Sequence, residues 1–130
     1  MRSCSVYENE DMRGVTGDTL RPGGMFLTDR AIEICNFKNG DKILDVGCGM
    51  GVTVEKLKSE YNFEAFGVDP SIKLLELGKE KYGNHNITLG RGEELPHKDG
   101  FFKGVMAECT MSLMEDFKKT IEESYRVLED

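Results

Sequence analysis

The sequence predicts an α/β domain built on a mainly parallel sheet. Three observations predict it. The apolar run Ile43 to Val46 leads directly into glycines at alternate positions, Gly47, Gly49 and Gly51. A helical pattern follows at once, with Val54, Leu57 and Tyr61 recurring at spacings of three and four. A second apolar run, 63–68, then ends in Asp69 and is again followed by helical periodicity. Strands that alternate with helices pair in parallel, because the helix carries the chain back across the sheet.

Residues 1–26 are polar and irregular, broken by Gly14, Gly17 and Arg21-Pro22-Gly23-Gly24. They read either as a solvated tail or as a lid anchored by Tyr7, Met12, Met25 and Phe26. Residues 27–130 form the folded domain. Thr28 is placed to cap a short helix that carries Ala31, Ile32 and Cys35 inward, and Asn39-Gly40 ends it. Strands are expected near 41–46, 63–68, 86–90 and 103–107. Ser71 to Tyr82 forms a helix with Leu74, Leu75 and Leu77 toward the sheet, stopped at Gly83-Asn84. In the last helix, Leu113, Phe117, Ile121 and Leu128 mark the expected buried face.

Composition bounds the function. With 130 residues the chain is one small domain. Its 38% apolar and 32% charged residues suit a globular core. A net charge of −7 gives no electrostatic footprint for nucleic acid. Cys4, Cys35, Cys48 and Cys109 are far apart, with no C-x-x-C pair, so no metal site is expected. Neither a leader nor an apolar segment of about 18 residues is recognisable, so a cytoplasmic protein without membrane spans is expected. Cys48 reads as a small side chain within the turn, and Cys35 and Cys109 as core residues.

The glycine turn carries the chemistry. Strand, Gly-rich turn and helix bring backbone close to a nucleotide-like ligand, although the same pattern also serves as a tight connection. Asp69, at the end of the second strand, suits a ribose diol; it also stands where a helix cap would sit, before Pro70. The dinucleotide fingerprint G-x-G-x-x-G, which implies NAD, fails here because Val52 follows Gly51. Asp45 lies two residues before Gly47. The resulting D-x-G-x-G-x-G resembles the first motif of the class I S-adenosylmethionine-dependent methyltransferases. Leu89-Gly90-Arg91-Gly92-Glu93-Glu94-Leu95-Pro96, with Asp99-Gly100-Phe101-Phe102, resembles that family's G-D-A-E-x-L-P-F-x-D-x-x-F-D block. Glu122-Glu123-Ser124-Tyr125-Arg126-Val127-Leu128 resembles its E-x-x-R-V-L helix end.

The resemblance implies a Rossmann-like three-layer sandwich with strand order 3-2-1-4, and S-adenosylmethionine as cofactor. It places Gly47, Cys48, Gly49 and Gly51 under the methionine part, Asp45 at the amino group, and Asp69 with Pro70 at the ribose. Gly92 and Glu93 border the adenine. Arg91 departs from the family's aspartate, and it cannot accept a hydrogen bond from the adenine amine. Glu108, after the fourth strand, is the candidate catalytic or cofactor-side carboxylate, with helix capping as its alternative. His97 reads as a solvent-exposed loop residue.

The implied function is methyl transfer to a small-molecule acceptor. Two alternatives stand beside it: a truncated cofactor-binding module without efficient turnover, and an NAD-binding domain. The resemblance further implies seven strands in a complete domain, of which four are recognisable. The domain is therefore expected to be incomplete at the C-terminus. The fourth strand becomes an apolar edge, suited to pairing with a second copy in a homodimer.

Overall fold

The computed structural model describes residues 26–83, 86–107 and 116–129. Four parallel strands form one sheet in the order β3-β2-β1-β4. They are β1 (Lys42–Val46), β2 (Glu64–Asp69), β3 (Ile87–Leu89) and β4 (Gly104–Met106). Around them lie α1 (Phe26–Cys35), α2 (Val52–Ser59), α3 (Ile72–Tyr82) and α4 (Phe117–Val127).

β1 is central. It pairs with β2 from Lys42↔Glu64 to Val46↔Val68, and with β4 from Ile43↔Gly104 to Asp45↔Met106. A strand hydrogen-bonded on both sides and covered on both faces has no solvent side, which is why Ile43 to Val46 reads as a nearly unbroken apolar run. Its alternating side chains divide the core in two. Ile43, Ala65 and Met106 meet Ile32 of α1 and Val54 and Leu57 of α2. Leu44, Val46 and Val68 meet Leu95, Phe102 and Val127 of α4. Helices on both faces of the sheet give the expected three-layer sandwich.

Aromatic rings fill the second core. Phe66, Phe101 and Phe102 meet edge to face with centroids 5.0 to 5.5 Å apart. On the other side Tyr61, just beyond α2, stacks on Phe63 and donates its hydroxyl to Asp29 Oδ1 at 2.6 Å, which ties α1 to the exit of α2.

Several local expectations are corrected. α1 begins at Phe26, so Thr28 lies within the helix and does not cap it. It ends at Asn36, left-handed at φ 54°, and Asn39-Gly40 forms a later turn into β1. Ile32 is buried but Cys35 is exposed. Ser71, rather than Asp69, caps α3: its hydroxyl accepts from Leu74 N at 3.2 Å. α4 buries Thr120, Glu123 and Val127, whereas Phe117 and Tyr125 are 52% and 75% exposed. Ile121 and Leu128 are half-buried. Leu113 lies outside the described residues, as does nearly all of the N-terminal extension. Glu123 turns α4 inward because its carboxylate has hydrogen-bond partners there, and the apolar stripe counted from sequence has no equivalent claim.

One glycine sets the position of a helix. A Cβ at Gly78, in α3, would overlap the Met50 carbonyl oxygen in the turn before α2. Alanine is favoured over glycine in a helix by about 1 kcal/mol. Overlap with fixed backbone costs more, about 1–3 kcal/mol. Gly78→Ala is therefore expected to lower the urea midpoint despite its helix propensity, and a raised midpoint would show that α3 does not press on the turn.

Candidate functional site

The site starts where β1 ends. Gly47, Gly49 and Gly51 all have left-handed φ, at 75°, 57° and 90°. Side chains rarely adopt that conformation, so the turn itself requires glycine. Gly47 N and Cys48 N both donate to Val68 O, at 2.8 and 3.1 Å. Gly49 N donates to Asp69 Oδ2 at 3.0 Å, and Ser71 N to Asp69 Oδ1 at 2.8 Å. Gly51 begins α2 without a side-chain cap, leaving the first helical N–H groups turned toward the turn.

Two acids sit at adjacent strand ends. Asp45 and Asp69 are each only 4% exposed. Cys48 lies between them, its Sγ pressed against Gly67 so closely that a Cβ there would overlap it. Burial, and then the negative charges of Asp45 and Asp69, push the Cys48 thiol well above its usual range. A neutral thiol is a poor nucleophile.

The segment after β3 completes the arrangement. Gly90 N donates to Asp69 O at 3.1 Å, joining the exits of β2 and β3. Arg91 to Glu94 turns back on itself, with Glu94 N donating to Arg91 O at 3.1 Å. Gly92 and Glu93 are buried within that turn. The Arg91 side chain points outward, 3.5 Å from Glu93 Oε2. Pro70 is half-buried beside Asp69. Glu108 and Cys109 lie outside the described residues. The remaining candidate residues converge at the carboxyl ends of β1, β2 and β3, beside the switch point between β1 and β4, where open α/β sheets hold their ligands.

Sequence reasoning missed a pair on α4. Arg126 Nε and Nη2 donate to the two oxygens of Glu123, at 2.7 and 3.1 Å. Nη2 also donates to Leu95 O at 3.0 Å, and Nη1 to His97 O at 2.8 Å and Asp99 Oδ1 at 2.7 Å. All five guanidinium donors are thereby engaged. Glu123 Oε1 accepts from Leu95 N at 2.9 Å. The Arg126 fork holds the Glu123 carboxyl below the usual carboxylate range against the opposing effect of burial. The signal available in the sequence was the acid–base pair three residues apart on one helix.

His97 is also corrected. It is half-buried, with its ring edge on Phe102 at 5.0 Å and its Nδ1 buried without a hydrogen-bond partner among the described residues.

The residues fit an adenosyl cofactor. The Asp69 carboxylate is fixed through both oxygens, and an ionised carboxylate offers about four acceptor sites, enough for a ribose diol as well. Residues 43–130 match the family model described as a methyltransferase domain. A demethylmenaquinone methyltransferase of Staphylococcus saprophyticus is 36% identical over 104 residues, covering 76% of this chain and 45% of that protein. A putative S-adenosyl-L-methionine-dependent methyltransferase from Methanococcus maripaludis superposes with a TM-score of 0.79 at 18% identity, covering 93% of this chain and 57% of that one. The phosphoethanolamine N-methyltransferase 2 of Haemonchus contortus, in complex with S-adenosylhomocysteine, superposes at 0.75 with 24% identity, covering 91% and 29%. The chain belongs to the class I S-adenosylmethionine-dependent methyltransferases. It spans about half the length of the curated relatives it matches, from 40% to 52% of the first three.

Burial, and then the positive charge of Arg126, hold the His97 imidazole below its usual 6.5. A histidine depressed in the folded state stabilises the fold fully above its unfolded-state value and loses that contribution as pH falls through the folded-state value. Glu123 follows the same sign in a lower window, below 4.5. The unfolding temperature should therefore drop as pH falls below that usual 6.5. His97→Phe should flatten that limb, and an unchanged slope would remove His97 as its cause.

Proposed function

We propose that this chain binds S-adenosylmethionine at the carboxyl ends of β1, β2 and β3 and serves methyl transfer to a small-molecule acceptor. The observation that carries the reading is the hydrogen bond from Gly49 N to the Asp69 carboxylate. It fixes the glycine turn and the ribose acid relative to each other, which a mere tight connection does not need. In this reading Asp69 accepts the ribose hydroxyls, the Gly47–Gly51 backbone and Asp45 hold the methionine portion, and Gly92 with Glu93 borders the adenine. Arg91, being exposed, leaves the purine edge to the backbone and to Glu93.

Bound S-adenosylmethionine supplies a methyl group already activated by its sulfonium. The protein's task is then to orient the acceptor and exclude water. Glu108, directly after β4 and Ala107, is proposed as the acceptor-side carboxylate. It would take a proton only from an acceptor that binds in its protonated form. A small-molecule acceptor is supported by the net charge of −7, which disfavours polyanions. The acceptors named for two relatives, demethylmenaquinone and phosphoethanolamine, are likewise small molecules.

Calorimetric titration with S-adenosylhomocysteine and, separately, with NAD tests the cofactor. Binding of the former is expected, and binding of NAD alone would overturn the reading. Loss of a charged hydrogen-bonding group is worth roughly 1.5–3 kcal/mol, or about ten- to a hundredfold in Kd. Asp69→Ala should weaken binding by that factor, and Gly49→Val at least as much. Unchanged affinity in both would reject the site.

We also propose that a second copy covers the outer edge of β4. Among the described residues that side carries only the parallel bridge between Phe102 and Leu128. Unpaired strand edges recruit other strands. Sedimentation velocity at micromolar concentration should show a dimer, and a monomer at every concentration would exclude it.

A further inference from the structure

We propose that Glu123 and Arg126 are positioning residues for the purine end of the cofactor seat: α4 fixes the height from which the Arg91–Leu95 segment reads the purine edge. The inference rests on the cofactor reading above. The segment is tied to the sheet at its start, where Gly90 N donates to Asp69 O. Its middle folds back on itself, with Glu94 N donating to Arg91 O. Among the described residues, the hydrogen bonds at its far end come from α4. Glu123 Oε1 takes the N–H of Leu95, and Arg126 takes the carbonyls of Leu95 and His97. Both polar groups of one buried residue are thus held by one ion pair.

The pair is built for placement. Glu123 is 9% exposed and meets the guanidinium through both oxygens, a fork geometry that fixes direction as well as distance. Lysine would retain the charge but lose the fork, because its ammonium is a compact charge on a flexible stem. Leu95 directly follows the Arg91–Glu94 turn that contains Gly92 and Glu93, so a shift at Leu95 is passed into that turn. Asp99, the remaining Arg126 partner, has a side chain 82% exposed and contributes little.

The test compares two ligands that differ only at the purine edge, S-adenosylhomocysteine and S-inosylhomocysteine, by calorimetry on the full chain. The wild type should prefer the adenine compound. Arg126→Lys and Glu123→Gln should weaken S-adenosylhomocysteine about tenfold and shrink the preference between the two ligands. Asp99→Asn should change neither quantity. A lower unfolding temperature with an unchanged preference, or equal weakening of both ligands, would make the pair structural and overturn the inference. If Glu123→Gln does not fold, Arg126→Lys decides alone. A wild-type protein that binds both compounds equally also overturns it. One that binds neither overturns the cofactor reading on which it rests.

Discussion

Asp69 is the joint on which the rest of the structure depends. Its carboxylate takes the N–H of Gly49 from the turn after β1 and the N–H of Ser71 at the start of α3. Its carbonyl takes the N–H of Gly90 at the exit of β3. One residue at the end of β2 therefore secures the adjacent start of α3 and two chain segments that are remote in sequence. The buried carboxylate is stable there because its charge is met by backbone donors, which avoids the cost of an unpaired buried ion. In the proposed function the same group meets the ribose. On that proposal architecture and binding share an atom set, and neither can drift without the other.

The second constraint is polar as well. α4 might have been oriented by its aromatic and aliphatic side chains, yet it turns Thr120, Glu123 and Val127 to the core and leaves Phe117 and Tyr125 in solvent. Glu123 is buried and Arg126 half-buried, and a desolvated carboxylate–guanidinium pair is stable only when its hydrogen bonds are complete. Here every guanidinium donor has an acceptor. Satisfying that pair decides the rotation of the helix, and Val127 completes the apolar contact with Leu44 and Phe102.

What was legible in the sequence follows from how local each cause is. The four strands, the glycine turn and Asp69 were readable because backbone conformation and strand burial are written in adjacent residues. Strand order came from the family resemblance. The cap of α3 was misplaced by two residues, since Asp69 and Ser71 are both good caps and only the fold shows which faces Leu74 N. The buried face of α4 was not readable from periodicity: the donors that draw Glu123 inward belong to Leu95, 28 residues away, and to Arg126. His97 was misjudged for the same reason, because Phe102 and the Arg126 contact to its carbonyl hold it against the core.

The placement of Cys48 has a practical consequence. Its sulfur is packed on Gly67 between two acids, whereas the Cys35 sulfur is on the surface. A thiol reagent that needs the thiolate should therefore react more slowly at Cys48 than at Cys35 in the same molecule. The ratio of the two labelling rates reads how tightly the turn is packed, without any ligand or label attached beforehand.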